Sequence, residues 1–385
     1  MSAKEHSVKK PIAFYAPLKS PNHPLPSGDR TMARLLMKAL ERAGFAPQLA
    51  SELRTLDKIG DRQFQESLKL QSLTEASRLI AHYSALRQEE RPCLWFTYHV
   101  YYKAPDWIGP QVSKALNIPY VITEGSRASK RADGPWALGH EAAEAALDQA
   151  EALFVMTMKD RVALERARPS HQTLIDLPPF IDAEEWPQPL SRHASKTPHL
   201  LTVAMMREGD KLASYRILAN ALERIADLPW SFDIVGDGEA RPEIERSFAP
   251  FKDRVHFHGQ IESRTDLANL YRSADLFVWP AVNEAYGMVL LEAQLFGCAI
   301  IAGNFGGVAS VVKHEETGLL TFPGDAPAFA DGMRNLLEHT ERLRALGQNA
   351  QRFVSEERNL DGAAMRLRKG LYSLLRPEGA RSCAS

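Results

Sequence analysis

IAFYAPLKSPNHPLPSGDRTMARLLMKALERAG, residues 12–44, carries three signals in succession. IAFYAP at 12–17 is an apolar run of strand length, and LKSPNHPLPSGDR is a proline-rich loop containing Gly28. TMARLLMKALERAG then repeats apolar residues at helical spacing up to Gly44. Strand, glycine loop and helix in this order open a parallel α/β sheet. The alternation continues through a polar, helix-biased region near 60–90, CLWFTYH at 93–99 and a helix near 107–116. It then runs through IPYVITE at 118–124, an Ala- and Glu-rich run at 137–150, ALFVMT at 152–157 and MKDRVALERA after it. Strands that are apolar throughout are those covered by helices on both faces.

The pattern pauses at DAEEWPQPLSRHASKTPH, 182–199, where three prolines and mixed charges interrupt the periodicity as an interdomain connection does. A second series follows: LLTVAMM at 200–206, a helix near 212–226, WSFDIVG at 230–236, RVHFHG at 254–259, ADLFVWP at 274–280 and CAIIAG at 298–303. The expected organisation is therefore two open α/β domains, 1–190 and 191–360. A helix at 361–377 is expected to pack back toward the first domain, with a tail at 378–385. Ligands of such sheets bind outside the carboxyl ends of the strands, so function is expected in a crevice where the two domains face one another.

Composition removes several classes of function. Lys plus Arg number 47 against 48 Asp plus Glu in 385 residues, a net charge of -1, so there is no global positive field to hold nucleic acid. Three dispersed cysteines, Cys93, Cys298 and Cys383, make neither a disulfide framework nor a thiolate cluster and favour a reducing compartment. No apolar run approaches the roughly 18–20 residues of a membrane span, and MSAKEHSVKK leads into a strand in place of a signal-peptide core. A cytoplasmic protein is expected.

WPAVNEAYGMVLLEAQLFG, 279–297, is the most informative stretch. Glu284 lies in a loop after a strand, and Glu292 lies on the helix that begins near Tyr286 to Met288. Unpaired amides at that helix start, with Gly287 permitting close approach, can cradle a diphosphate between two carboxylates that accept from hydroxyls. A merely polar helix start is the structural alternative. The two glutamates, separated by seven residues within strand, loop and helix, resemble the glutamate pair of the family 4 glycosyltransferases. The likeness extends through IVGDGEARPEIE at 234–245, VHFHG at 255–259, NFGGVASVVKHEETGLL at 304–320 and the terminal helix.

That resemblance implies the GT-B architecture, two Rossmann-like domains across a central cleft, and retaining transfer from a nucleoside-diphosphate sugar without a metal or other cofactor. It further implies that Glu284 contacts the donor sugar, Glu292 the ribose, and the amides of Gly287 and Met288 the phosphates. Gly236 and Gly238 would lie beneath the nucleotide, and Gly306 and Gly307 would face the donor; tight turns are the alternative for both pairs. The family's basic pair is matched most nearly by Arg207 and Lys211, with Met205 standing about where an arginine is expected. Lys211 is the safer assignment, and a surface ion pair is the alternative for Arg207. Such cations offset the charge that grows on the leaving phosphate, which in a retaining mechanism can itself take the acceptor proton.

In the first domain the resemblance assigns the glycine loop to Gly28, with Arg30 approaching phosphate or solvent and Asp29 capping the helix. His99, at a strand's carboxyl end, matches a histidine that family members place near the donor sugar. No carboxylate in the sequence is evident to orient it as a base. Glu124, Arg127, Lys130 and Arg131 in ITEGSRASKRADGPWALGH, 122–140, are candidates for recognising a saccharide, lipid-linked or small-molecule acceptor, and membrane contact is one consequence of such an acceptor. His256 and His258 alternate on a strand but lack a third ligand, so no zinc is expected. The assigned catalytic residues are His99, Lys211 and Glu284. A GT-B epimerase or phosphorylase and a non-catalytic nucleotide-sugar binder are the competing readings.

Overall fold

The computed structural model describes residues 9–25, 27–187 and 197–375. Two compact units result: Met1–Pro178 joined by Leu360–Ser385, and Pro179–Asn359. The division at 178/179 falls before the expected 190/191. Trp186, counted as linker from sequence, is buried, and its ring meets Tyr271 and Phe296 at 5.9 and 5.6 Å. Those rings draw the first part of the proline-rich stretch onto the second unit. Residues 188–196 of that stretch, and the tail with Cys383, lie outside the described residues.

Unit 1 alternates β1 (Lys10–Tyr15), α1 (Gly28–Arg42), β2 (Phe45–Ser51), α2 (Arg62–Ala85), β3 (Trp95–Val100) and α3 (Gly109–Leu116). It continues with β4 (Tyr120–Gly125), α4 (Ala137–Gln149), β5 (Ala152–Val155), α5 (Met158–Arg166) and β6 (Thr173–Asp176). Its six parallel strands run in the order β2-β1-β3-β4-β5-β6. Ile12, Phe14, Trp95, Phe96, Val121 and Phe154 are all fully buried, because side chains on both faces of the inner strands meet helices. Phe14 stacks on Phe96 at 5.8 Å, and Phe96 meets Phe154 at 6.3 Å, so one row of rings runs from β1 through β3 to β5.

Unit 2 comprises β7 (His199–Val203), α6 (Asp210–Arg224), β8 (Ser231–Val235), α7 (Arg241–Phe248), β9 (Val255–Gly259) and α8 (Arg264–Ser273). After these come β10 (Leu276–Trp279), α9 (Met288–Leu295), β11 (Ala299–Gly303), β12 (Gly318–Thr321), α10 (Ala326–Glu338) and α11 (Thr340–Glu357). The sheet order is β12-β11-β10-β7-β8-β9, again all parallel. The final helix, α12 (Leu360–Leu374), belongs to unit 1. Its stripe of Leu360, Ala363, Ala364, Leu367 and Leu371 is buried, and Arg42 of α1 reaches Asp361 at 3.0 Å.

The strands that sequence reading passed over, β2, β6 and β12, all lie at sheet edges. An edge strand is covered less completely, so its apolar run is broken: β2 carries Pro47 and Gln48 and is buried only toward its ends. Strand order reverses between β1 and β3 in unit 1 and between β7 and β10 in unit 2. At such reversals the loops leaving neighbouring strands diverge and open a crevice for ligand.

Candidate active site

In unit 2 the reversal brings together the loops after β7 and β10. Lys211, in the first turn of α6, donates from Nζ to Glu284 Oε2 at 2.6 Å, and Trp279 Nε1 donates to the same oxygen at 3.2 Å. The ammonium also lies 5.1 Å from the Trp279 ring centroid. Both side chains are half-buried, at 24% and 17% exposure, so the pair sits at the mouth of the sheet and not in open solvent. Two further bonds tie the Glu284 loop to α6: Asn283 Nδ2 to Asp210 Oδ2 at 2.6 Å, and Val282 N–H to Ser214 Oγ at 3.1 Å. Lys211 and Glu284, 73 residues apart, are thus one unit.

Gly287 is the N-cap of α9 at φ +73, and Met288 is the first helical residue. First-turn amides have no partner within their helix, so these N–H groups are able to donate to an anion. Gly307 N–H donates to Ala285 C=O at 2.5 Å, which seats the Gly306–Gly307 loop on the Glu284 loop. At Gly306, φ is +61 and a Cβ would stand 2.1 Å from Glu284 C=O, so only glycine fits. Gly236 and Gly238 follow β8; a Cβ on Gly236, at φ +143, would stand 1.9 Å from Ala204 C=O. That loop is bonded to the one carrying Met205 and Arg207, through Met206 N–H to Asp237 C=O at 2.9 Å.

Arg207 and Met205 are exposed, and among the described residues the Arg207 side chain makes no ion pair. Glu292 accepts from Tyr271 Oη at 2.8 Å, and burial pushes its carboxyl up against the opposing influence of that bond and of Arg264. Tyr271, which sequence reading did not single out, fixes the direction of this glutamate. Of the histidines on β9, His258 Nε2 lies 2.9 Å from Asp233 Oδ1, while His199 Nε2 lies 2.8 Å from the other oxygen. Among the described residues no group of three or more His, Cys, Asp or Glu side chains is arranged to hold a metal ion.

In unit 1 the register sets Tyr98 beside Thr123 and Val100 beside Gly125, so His99 and Glu124 end adjacent strands side by side. Both take left-handed backbone, φ +65 and +61, uncommon for residues with a Cβ. His99 Nδ1 lies 3.2 Å from Asp29 Oδ1 and 3.6 Å from Glu124 Oε1. This corrects two expectations. His99 does have orienting carboxylates, and Asp29 faces it in place of capping α1; Ser27 is the cap, accepting from Arg30 N–H at 3.3 Å. Gly28 opens α1, and a Cβ there would meet nothing within 4 Å. The Arg30 side chain bonds to Pro24 C=O at 2.9 Å.

Burial disfavours the His99 imidazolium, but the Glu124 charge, the Asp29 hydrogen bond and the fields of Asp29 and Asp160 outweigh it, and its pKa is pushed up to about 9. Glu124 is raised by its burial despite the histidine. Asp29 is lowered, since the bond and charge of His99 exceed its burial. These surroundings therefore favour the charged, donating form of His99. Arg127, offered as an acceptor contact, is instead committed to α4: it pairs with Glu144 and, at 2.5 Å, with Asp148.

Two parallel sheets of these strand orders, each with its polar cluster at the order reversal, define the class: the fold is that of the GT-B glycosyltransferases. More particularly, residues 197–339 match the family described as Glycosyl transferases group 1. The sulfoquinovosyl transferase SQD2 of Arabidopsis thaliana is 28% identical over 163 residues, 42% of this chain and 31% of that protein. The chain thus spans under a third of that relative's length. Among solved structures, sucrose-phosphate synthase of Thermosynechococcus elongatus aligns with a TM-score of 0.72 at 20% identity, covering 95% of this chain and 99% of that one. Anabaena HepE in complex with UDP-glucose aligns at 0.66 and 17%, covering 94% and 99%.

Proposed function

We propose that the chain is a retaining glycosyltransferase that moves a hexosyl or related sugar from a nucleoside-diphosphate donor to an acceptor hydroxyl, in glycan, glycolipid or glycoconjugate synthesis. The observation that carries this reading is the Lys211–Glu284 contact at the strand-order reversal of the region that matches the group 1 glycosyltransferases. Before donor arrives, Glu284 neutralises the ammonium. On binding, the donor phosphate takes the positive charge and the freed carboxylate accepts from sugar hydroxyls. As the glycosidic bond breaks, negative charge grows on the phosphate oxygen, where Lys211 and the first-turn amides of α9 stabilise it.

Glu292, aimed by Tyr271, takes the ribose, and the backbones at Gly236, Gly238, Gly306 and Gly307 line the nucleotide, with Arg207 an outer phosphate contact and Gly28 the loop of unit 1. His99 donates a charged hydrogen bond to a substrate hydroxyl. With His99 held toward its charged form, the acceptor proton goes to the leaving phosphate on the face of attack, a route that retains configuration. Local cations in place of a metal predict turnover that EDTA does not slow. Cys93 and Cys298, neither in a disulfide, support a cytoplasmic setting, and no helix of the described residues is long and apolar enough to cross a membrane. Attachment at the membrane face follows only if the acceptor is lipid-linked.

The test is a nucleotide-sugar panel, UDP-glucose first because a protein of this fold holds it, read by binding and by mass spectrometry of products. Lys211→Gln and Glu284→Gln should each lower transfer about a hundredfold while the protein stays folded. Full transfer by both variants, or no nucleotide sugar bound by the unmodified chain, overturns the reading. An epimerised donor or phosphorolysis in place of a glycoside favours the competing enzymes.

A further inference from the structure

Past His99, the loops that leave β3 and β4 build a feature that the donor chemistry does not use. A tight turn from Tyr101 to Ala104, closed by Ala104 N–H to Tyr101 C=O at 2.9 Å, carries Tyr102 and Lys103 beyond the strand end. The rings of His99, Tyr101, Tyr102 and Trp136 follow one another at 5.1, 5.5 and 5.8 Å. Two cations gather at the far end of this row. The Lys103 ammonium is 4.9 Å from the Trp136 centroid, and the Arg131 guanidinium is 5.1 Å from the same ring and 5.3 Å from that of Tyr102.

Among the described residues neither cation has a carboxylate within ion-pair distance, and Arg131 Nε is buried with no hydrogen-bond partner. Arg127, four residues earlier, shares the unpartnered Nε but differs in charge, being neutralised by two carboxylates. Aromatic faces can hold two like charges near each other, but they satisfy neither the net charge nor the desolvated N–H, which calls for an acceptor oxygen. A phosphomonoester, close to dianionic at neutral pH and rich in acceptor oxygens, matches two cations better than a carboxylate does.

We propose that Arg131 and Lys103 form the anion subsite of the acceptor site in unit 1, selecting an acceptor that carries a phosphomonoester on a polyol, with the aromatic row leading from that phosphate to His99. This rests on the glycosyltransferase reading and on unit 1 receiving the acceptor.

The experiment uses the full chain and three probes: glycerol phosphate, glycerol, and phosphatidylcholine vesicles containing phosphatidic acid, whose headgroup is the same monoester on a lipid. Calorimetry and vesicle flotation are run on the unmodified protein, the R131Q/K103M double variant, Arg131→Lys and Lys211→Gln. Expected are binding of glycerol phosphate or of the vesicles but not of glycerol, weakening by about tenfold or more in the double variant, partial retention in Arg131→Lys, and no loss in Lys211→Gln. Whichever monoester arm binds identifies a soluble or a lipid-borne acceptor. Failure of both arms at millimolar phosphate, equal affinity in the double variant, or loss only in Lys211→Gln overturns the proposal. Nucleotide-sugar binding is measured on the unmodified protein and on the Arg131 and Lys103 variants: retained, it shows that these variants are folded and that only the subsite has failed; absent from the unmodified protein, it is the glycosyltransferase reading that has failed.

Discussion

Replacing Asp29 by Asn removes one of the carboxylates that hold His99 charged while keeping the side chain's size. An imidazolium whose pKa stands at about 9 in place of 6.5 is favoured in the folded state by about 3 kcal/mol. Because the folded pKa is raised, that contribution is complete below pH 6.5 and is lost as pH rises through about 9. The charge of Glu124, 7% exposed, is the largest single influence raising the pKa, and Asp29, 36% exposed and 3.2 Å away, adds both a hydrogen bond and a charge. In Asp29→Asn, His99 should titrate below its value of about 9, and near pH 6 the variant should be less stable by about 1 kcal/mol or more, a deficit that shrinks toward pH 10. Asp29 also stabilises the amino end of α1, but that helix-dipole effect does not change between those pH values, so the slope isolates the histidine. The assay is NMR titration of the His99 ring together with denaturant unfolding across the pH series. A wild-type His99 titrating at or below 6.5, or unchanged by the substitution, would refute the reasoning.

Two further outcomes follow from packing. Gly236→Ala forces a Cβ to within 1.9 Å of Ala204 C=O at φ +143 and should cost about 3 kcal/mol or more, whereas Gly28→Ala, with open space at its Cβ, should leave thermal unfolding nearly unchanged; equal effects would count against the loop geometry. Leu367→Ala, fully buried on α12, should cost about 3 kcal/mol, and hydrogen exchange should rise in α1 and β6 and not in unit 2; a rise confined to unit 2 would show that α12 is misassigned.

What could be read from the chain was whatever is local. Inner strands such as LLTVAMM and ADLFVWP announced themselves because burial on both faces demands unbroken apolar runs, and α12 because its stripe recurs at helical spacing. The edge strands β2, β6 and β12 gave no such signal, since half-covered strands tolerate Pro47 and Gln48. In the site, the glutamate pair and Lys211 stood out by type and spacing, but nothing near Lys211 announced that Glu284 would hold its ammonium in the free protein.

His99 was legible as a histidine at a strand end, while its charge state was not. Asp29 is 70 residues away, and Glu124 arrives only through the parallel register of β3 and β4. Arg127 and Arg131 look alike in SRASKR; α4 neutralises the first and leaves the second on two aromatic rings. Sequence by itself determined the alternation of strands and helices, the two series and the chemical types gathered in each loop, because those depend on side chains close together in the chain. Tertiary structure alone decided which charges meet, since a parallel sheet returns the chain to the same edge only after a full crossover, and the partners it brings together share no local pattern.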